Sequence, residues 1–269
     1  MKLSDILIIS DLDGTLLTDE KTITQKNIGA IAKFRELGGR FTVATGRSTL
    51  SAEQYIDIVK CDTPTILFNG VVIYDFGTKK MIWNTYLQCE KEKIVKEIYD
   101  NLPNAGIEIM CEGEIFVPRT NEAVKAHLDL EGLEYKMIDI DDLPTEKWLK
   151  ILFAMDSEYM QEIQEFTDEK QYENVTFLPT SENFFEMLPV GNSKGEAMTH
   201  LAEKMGIDIS NIVAVGDFNN DIEMVKLAGL GVAMGNAIDG LKQVADITVK
   251  SNENDGIADL IEYLINNYK

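Results

Sequence analysis

Asp11 and Asp13 stand two residues apart at the end of an apolar run, Ile6-Leu7-Ile8-Ile9, with Gly14-Thr15 directly behind them. Two carboxylates placed where a buried strand surfaces repel each other and lose solvent. They call for a cation between them, or for chemistry that uses their charge. Gly14 lets the backbone turn sharply there. Asp13-Gly14 alone also reads as an ordinary turn after a strand. Three further fragments bear on the choice: Arg40-Phe41-Thr42-Val43-Ala44 runs into Thr45-Gly46-Arg47, Ser193-Lys194-Gly195 opens a helical stretch, and Ile212-Val213-Ala214-Val215 runs into Gly216-Asp217-Phe218-Asn219-Asn220-Asp221.

A phosphate monoester resists hydrolysis because an anionic nucleophile must approach an anionic phosphorus. A catalyst therefore needs a cation, a positioned nucleophile and an acid for the leaving group. A carboxylate bound to metal stays ionised, while a neighbour two residues on can hold a proton and run acid and base steps in turn. Asp11, Asp13, Asp217 and Asp221 offer a hard oxygen set with no adjacent His or Cys to suggest zinc, and magnesium (Mg2+) fits it. Thr45 supplies a hydroxyl and Lys194 a point charge for phosphoryl oxygens. Taken singly, Gly216-Asp217 could be a helix cap and Lys194 a solvated side chain.

In order and spacing, Asp-x-Asp-Gly-Thr, Thr-Gly-Arg, Lys and Gly-Asp-x-x-Asn-Asp resemble the four motifs of the haloacid dehalogenase superfamily of phosphohydrolases. The resemblance implies that Asp11 is the nucleophile that forms an aspartyl-phosphate and Asp13 the acid and base. It implies metal contact from the Asp11 side chain, the Asp13 backbone carbonyl and Asp217, with Asp221 in the metal set or just behind it. Leu12, Thr45, Gly46, Lys194 and Asn220 are the implied contacts of the phosphoryl group. Arg47, Asn69 and Asp255 match positions near such a site without a role being readable. Asn69-Gly70 and Asp255-Gly256 are equally turn dipeptides.

The elements that must position these residues are short apolar runs without alternation: 6–9, 41–44, 65–68, 212–215 and 231–233. They read as strands covered on both faces, as in parallel sheets. Helical stretches at 24–37, with Thr24 as N-cap, 48–59, 193–205 and 219–227 separate several of them. The expectation is α/β: a doubly wound, Rossmann-like parallel sheet whose strand ends gather the ligand. The segment 83–187 has another texture, with helices expected at 90–101, 121–130 and 159–170 and strands at 107–110, 114–117, 149–154 and 175–178. Residues 1–82 and 188–269 are thus expected to form the core and 83–187 an inserted α/β cap, with crossings near 82–85 and 188–191. A cap inserted here, with Glu186-Met187-Leu188-Pro189 before Lys194-Gly195, resembles the Cof-type branch, class IIB.

With 25 basic and 46 acidic residues the formal charge is −21. That surface argues against nucleic acid or an anionic membrane as partner, both of which require basic residues to replace counterions. A small phosphorylated metabolite in a local pocket is compatible with it. Cys61, Cys89 and Cys111 are widely spaced and odd in number, as expected for reduced thiols in a cytoplasmic protein. Residues 1–5 run straight into the first strand without a signal-like segment. No uncharged run approaches the roughly 20 residues of a membrane helix. His127 and His200 fall in expected helices away from the motifs, and packing or solvent exposure is their reading. Asp139 to Asp142 read as a solvated turn.

The expected activity is a magnesium-dependent phosphatase of small metabolites, with sugar phosphates the leading class. One alternative is a phosphomutase on the same scaffold. Another is a phosphorylation-dependent signalling receiver, against which the inserted segment and the Asp13 acid both count.

Overall fold

The computed structural model describes residues 2–144 and 147–268. Met1, the first residue of the amino-terminal run, lies outside them. The chain forms two compact units, Met1–Asn84 with Ser193–Lys269, and Thr85–Asn192.

The first unit is built on a five-stranded sheet in the order Ile247–Thr248, Leu230–Ala233, Ile212–Gly216, Leu7–Ser10, Arg40–Val43, with every pairing parallel. All residues of Leu7–Ser10 and Ile212–Gly216 are buried, which is why neither strand alternates in polarity. Their side chains pack on Ala197, Met198, Leu201 and Ala202 of the helix Lys194–Met205. Burying each leucine, isoleucine, valine or methionine side chain there contributes roughly 1.5–3 kcal/mol. Side-chain caps start the helices: Thr24 accepts from the Asn27 amide, Ser48 from Ser51 and Ser193 from Glu196. The strand order reverses between Leu7–Ser10 and Ile212–Gly216, because the chain leaves the first toward one edge and the second toward the other. Ligands of open α/β sheets gather at such a switch point.

The run 65–68 meets expectation in part. Thr65–Leu67 is a strand, but it pairs antiparallel with Val72–Asp75, which pairs in turn with Lys80–Asn84. Toward the parallel sheet it makes a parallel bridge between Ala44 and Ile66 and a hydroxyl contact between Thr42 and Thr65 at 3.3 Å. Phe68, Asn69 and Gly70 all have positive φ, so the chain turns back at once into a hairpin. The expected helix 219–227 begins as a 3-10 turn, Asn219–Asp221, and becomes α-helical over Ile222–Leu227.

The second unit carries a six-stranded sheet in the order Val175–Pro179, Phe184–Pro189, Trp148–Ala154, Gly106–Cys111, Ile115–Arg119, Lys136–Met137. One face, with Ile107, Ile109, Ile151, Phe153, Phe185 and Met187, builds an apolar core with Ile94, Val95 and Ile98 of the helix Lys91–Asn101 and Ile163 of Met160–Lys170. Alternation puts Glu108, Lys150 and Glu186 on the opposite face, where all three are buried. Lys150 Nζ donates to Glu186 Oε1 at 2.7 Å.

On that same face His127, from the helix Glu122–Glu131, has Nδ1 at 2.9 Å from Glu108 Oε1 and Nε2 at 3.6 Å from Glu131 Oε1. The expected packing histidine is therefore a buried ionic link, while His200 stacks on Trp83 at 4.6 Å. Burial works to lower the His127 pKa, but the hydrogen bonds and charges of Glu108 and Glu131 outweigh it and raise the value to about 9. Lys150 also faces Glu108 and lowers its carboxyl pKa, against a larger rise from burial. A folded pKa above the unfolded value of about 6.5 stabilises fully below that pH and is lost as pH rises through about 9. Between about pH 6 and about pH 10, urea unfolding should show the wild type losing on the order of 2 kcal/mol more than His127→Gln. Equal losses in the two proteins would show that the link carries no stability.

Candidate active site

The carboxyl ends of three adjacent strands, Ile212–Gly216, Leu7–Ser10 and Arg40–Val43, deliver Asp217, Asp11 and Thr45. The Asp11 amide donates to Val215 O at 3.0 Å and the Ala44 amide to Ser10 O at 2.8 Å, so the pairing continues up to the functional residues. Beyond Asp11 the chain closes a tight loop in which Leu12 O accepts from the amides of Thr15 and Leu17. The Leu12 side chain is buried, so this residue can meet a ligand only through its N–H, which has no partner among the described residues. Gly14 has φ +78°, and a Cβ there would lie 2.4 Å from Asp217 Oδ2. Only glycine allows the loop to approach that carboxylate.

Carboxylate oxygens of Asp11, Asp217 and Asp221 all lie within 4.8 Å of one another. Lys194, buried at the start of its helix, donates to Asp11 Oδ1 and to Asp221 Oδ1, each at 2.6 Å. Asp221 Oδ2 accepts from the amides of Asp217 and Phe218 at 2.9 and 3.1 Å. Both Asp221 oxygens are thus occupied. Asp217 Oδ1 accepts from the Thr15 hydroxyl at 2.7 Å. Asp11 Oδ2 and Asp217 Oδ2 have no hydrogen-bond partner among the described residues.

One ammonium among three carboxylates, two of them buried and one half-buried, leaves the cluster short of positive charge. Burial raises the Asp11 pKa well above the usual carboxylate range, opposed by Lys194 and reinforced by Asp221, Asp217 and Asp13. Asp217 is pushed up to about 7 by burial and by Asp221, against the Thr15 hydrogen bond and Lys194. Lys194, whose burial the two carboxylates outweigh, is held firmly protonated. A divalent cation fits this donor set, because it supplies the missing charge to hard oxygens already gathered.

Asp13 has a different environment. Its Oδ2 accepts from Arg47 Nε at 2.7 Å, and its Oδ1 from Arg47 Nη2 and Lys21 Nζ, both at 2.8 Å. Burial works to raise its pKa, but the hydrogen bonds and charge of Arg47, then those of Lys21, bring it down to about 2. In this arrangement the two cations favour the ionised form of Asp13.

Thr45 is buried, and its Oγ1 accepts from the Arg47 amide at 3.1 Å, leaving the hydroxyl proton to donate elsewhere. Asn220 Nδ2 donates to Asn69 Oδ1 at 3.0 Å, and a Cβ on Gly46 would lie 2.9 Å from Asn69 Nδ2. Asn69 therefore joins Gly46 to Asn220. Asp255, with φ +59°, instead accepts from the Thr24 hydroxyl at 2.6 Å and pairs with Lys26 at 3.5 Å. Lys21 is the neighbour that sequence reasoning missed, since a lysine in a polar turn carries no signal of its partner.

Fold and cluster together define an α/β enzyme with an acidic centre at the sheet's switch point. Residues 8–261 match the haloacid dehalogenase-like hydrolases, and the chain belongs to that family. Among curated proteins it is 30% identical over 285 residues to the 5-amino-6-(5-phospho-D-ribitylamino)uracil phosphatase YwtE of Bacillus subtilis, covering 96% of this chain and 97% of that protein. It is 29% identical over 270 residues to the pyridoxal phosphate phosphatase YbhA of Escherichia coli, covering 95% and 97%. Among solved structures, TM0651 from Thermotoga maritima superposes with a TM-score of 0.80 at 27% identity, over 96% of this chain and 97% of that one. Among the described residues no helix is long and apolar enough to cross a membrane.

Proposed function

We propose that this chain is a magnesium-dependent phosphatase of small phosphorylated metabolites, with sugar and sugar-alcohol phosphates the leading class. The observation that carries the reading is the cluster of Asp11, Asp217 and Asp221 around a single lysine. Asp11, through the oxygen that Lys194 leaves open, attacks phosphorus and becomes the aspartyl-phosphate. Lys194, with two donors spent on carboxylates and a third remaining, holds a phosphoryl oxygen, helped by the Thr45 hydroxyl, the Leu12 and Gly46 amides and Asn220. Asp13 gives a proton to the leaving oxygen and later takes one from water. An entering phosphoryl dianion sets negative charge against Asp13 and so offsets Arg47 and Lys21, which restores its ability to hold a proton.

The Asp11 side chain, the Asp13 carbonyl and Asp217 would hold magnesium, which would supply charge neutralisation for the transferring group. Asp221, both of whose oxygens already accept hydrogen bonds, orients Lys194 and the backbone of Asp217 in support of that set. Residues 83–187 supply selectivity for the leaving group. The names of the relatives, one a phosphatase of a ribityl phosphate and one of pyridoxal phosphate, support a small leaving group.

The test is release of free phosphate, with magnesium present, across phosphorylated sugars and sugar alcohols, nucleotides, flavin mononucleotide and pyridoxal phosphate. Turnover is expected, fastest with a sugar or sugar-alcohol ester. Isomerised ester without phosphate release would point to a mutase, and a long-lived phosphoprotein to a receiver.

A further inference from the structure

Lys21 sits in a turn that is built rather than loose. Its backbone has φ +57°, and the turn is closed by the Lys21 amide on Thr18 O and the Thr18 amide on Thr22 O, each at 2.9 Å. The turn is tied from far along the chain: the Asp19 amide donates to Glu253 Oε1 at 2.7 Å and Asn252 Nδ2 to Leu17 O at 3.1 Å. Left-handed backbone at a residue other than glycine costs on the order of 1 kcal/mol and, when it persists at a site, points to a role. The ion pair that this turn delivers is about one-third exposed on both sides. An exposed pair contributes at most about 1 kcal/mol, so stability does not account for it.

The hydrogen bonds suggest what does. Asp13 Oδ1 is occupied twice, by Arg47 Nη2 and Lys21 Nζ, whereas Oδ2 is occupied once, by Arg47 Nε. A carboxylate oxygen has two lone pairs. Lys21 thus fills Oδ1, adds a second residue to the hold of Arg47 on the carboxylate, and leaves a lone pair on Oδ2 alone. We propose that Lys21 is a positioning residue for Asp13, holding its carboxylate so that Oδ2 is the oxygen that passes protons to and from the reacting group. The inference rests on the acid and base role given to Asp13 above. Lys21 acts through Asp13 and does not touch the substrate.

A positioning residue for the acid matters most where the leaving oxygen most needs a proton. Lys21→Met should lower kcat about tenfold on an alkyl phosphate and much less on nitrophenyl phosphate, with KM unchanged on both. Lys21→Arg should recover most of the loss. In an Asp13→Asn background, Lys21→Met should produce no further drop, since the group it positions has gone. The magnesium-induced rise in melting temperature should be that of the wild type, which shows that the variant is folded; Lys21→Gln serves if Lys21→Met is not. Equal losses on both esters, a change confined to KM, or full additivity with Asp13→Asn would overturn the proposal. The Asp13→Asn variant alone separates the two levels. If its loss is the same for every ester, the acid role itself fails. If its loss depends on the leaving group while that of Lys21→Met does not, only the role of Lys21 fails.

Discussion

Asp11→Asn is expected to lower turnover by about three orders of magnitude or more while the protein still folds. Asparagine keeps the shape of the side chain but removes the anion that attacks phosphorus. The fold should tolerate the change for a reason visible in the electrostatics. Asp11 is buried, and Asp221, Asp217 and Asp13 all raise the cost of its charge. Neutralising it removes like-charge repulsion, and Lys194 keeps its partner Asp221 at 2.6 Å. Phosphate release and a thermal melt on the same sample check both halves. Near-wild-type turnover would end the proposed chemistry, whereas loss of folding would show that Asp11 organises the cluster as well as reacting.

Removing divalent metal is expected to abolish activity, and magnesium to restore it. Calcium, larger and tolerant of more ligands, should bind without supporting efficient turnover. Metal should also stabilise the fold, by about 2.7 kcal/mol at a hundredfold excess over Kd. Its origin is the charge deficit around Asp11, Asp217 and Asp221. Protons compete for the same oxygens, because Asp217 stands at about 7 without metal and Asp11 is also raised. The magnesium-induced shift in melting temperature should therefore shrink as pH falls below about 7. Asp217→Asn should remove most of that shift at every pH. Full turnover in excess chelator, or a shift that Asp217→Asn leaves intact, would rule out this metal site.

Much of this was legible in short stretches of sequence, for local reasons. The runs 6–9 and 212–215 are long enough to be buried strands and are followed at once by Asp11 and Asp217, so those carboxylates had to surface at strand ends. Thr24 was readable as a cap because a side-chain oxygen can reach an amide two or three residues on, whatever the rest of the fold does. The parallel α/β core followed from such signals, and so did the motif residues.

Only the tertiary structure decided which distant groups meet. Thr65–Leu67 had the apolar texture of a parallel strand and keeps a parallel bridge to Ala44, but the positive φ at Phe68 and Asn69 also sends the chain into an antiparallel hairpin. Arg47 and Lys21 converge on Asp13 from two different segments, and His127 finds Glu108 across a helix and a strand. No periodicity announces such pairs. A charged side chain is compatible with solvent, with a buried partner or with a ligand, and its choice depends on segments brought together by packing rather than on its own neighbours. Even the proton affinity of Asp13 was decided this way: the same Asp-x-Asp spacing that marks the site leaves one carboxyl raised by burial and neighbouring carboxylates and the other lowered by two cations.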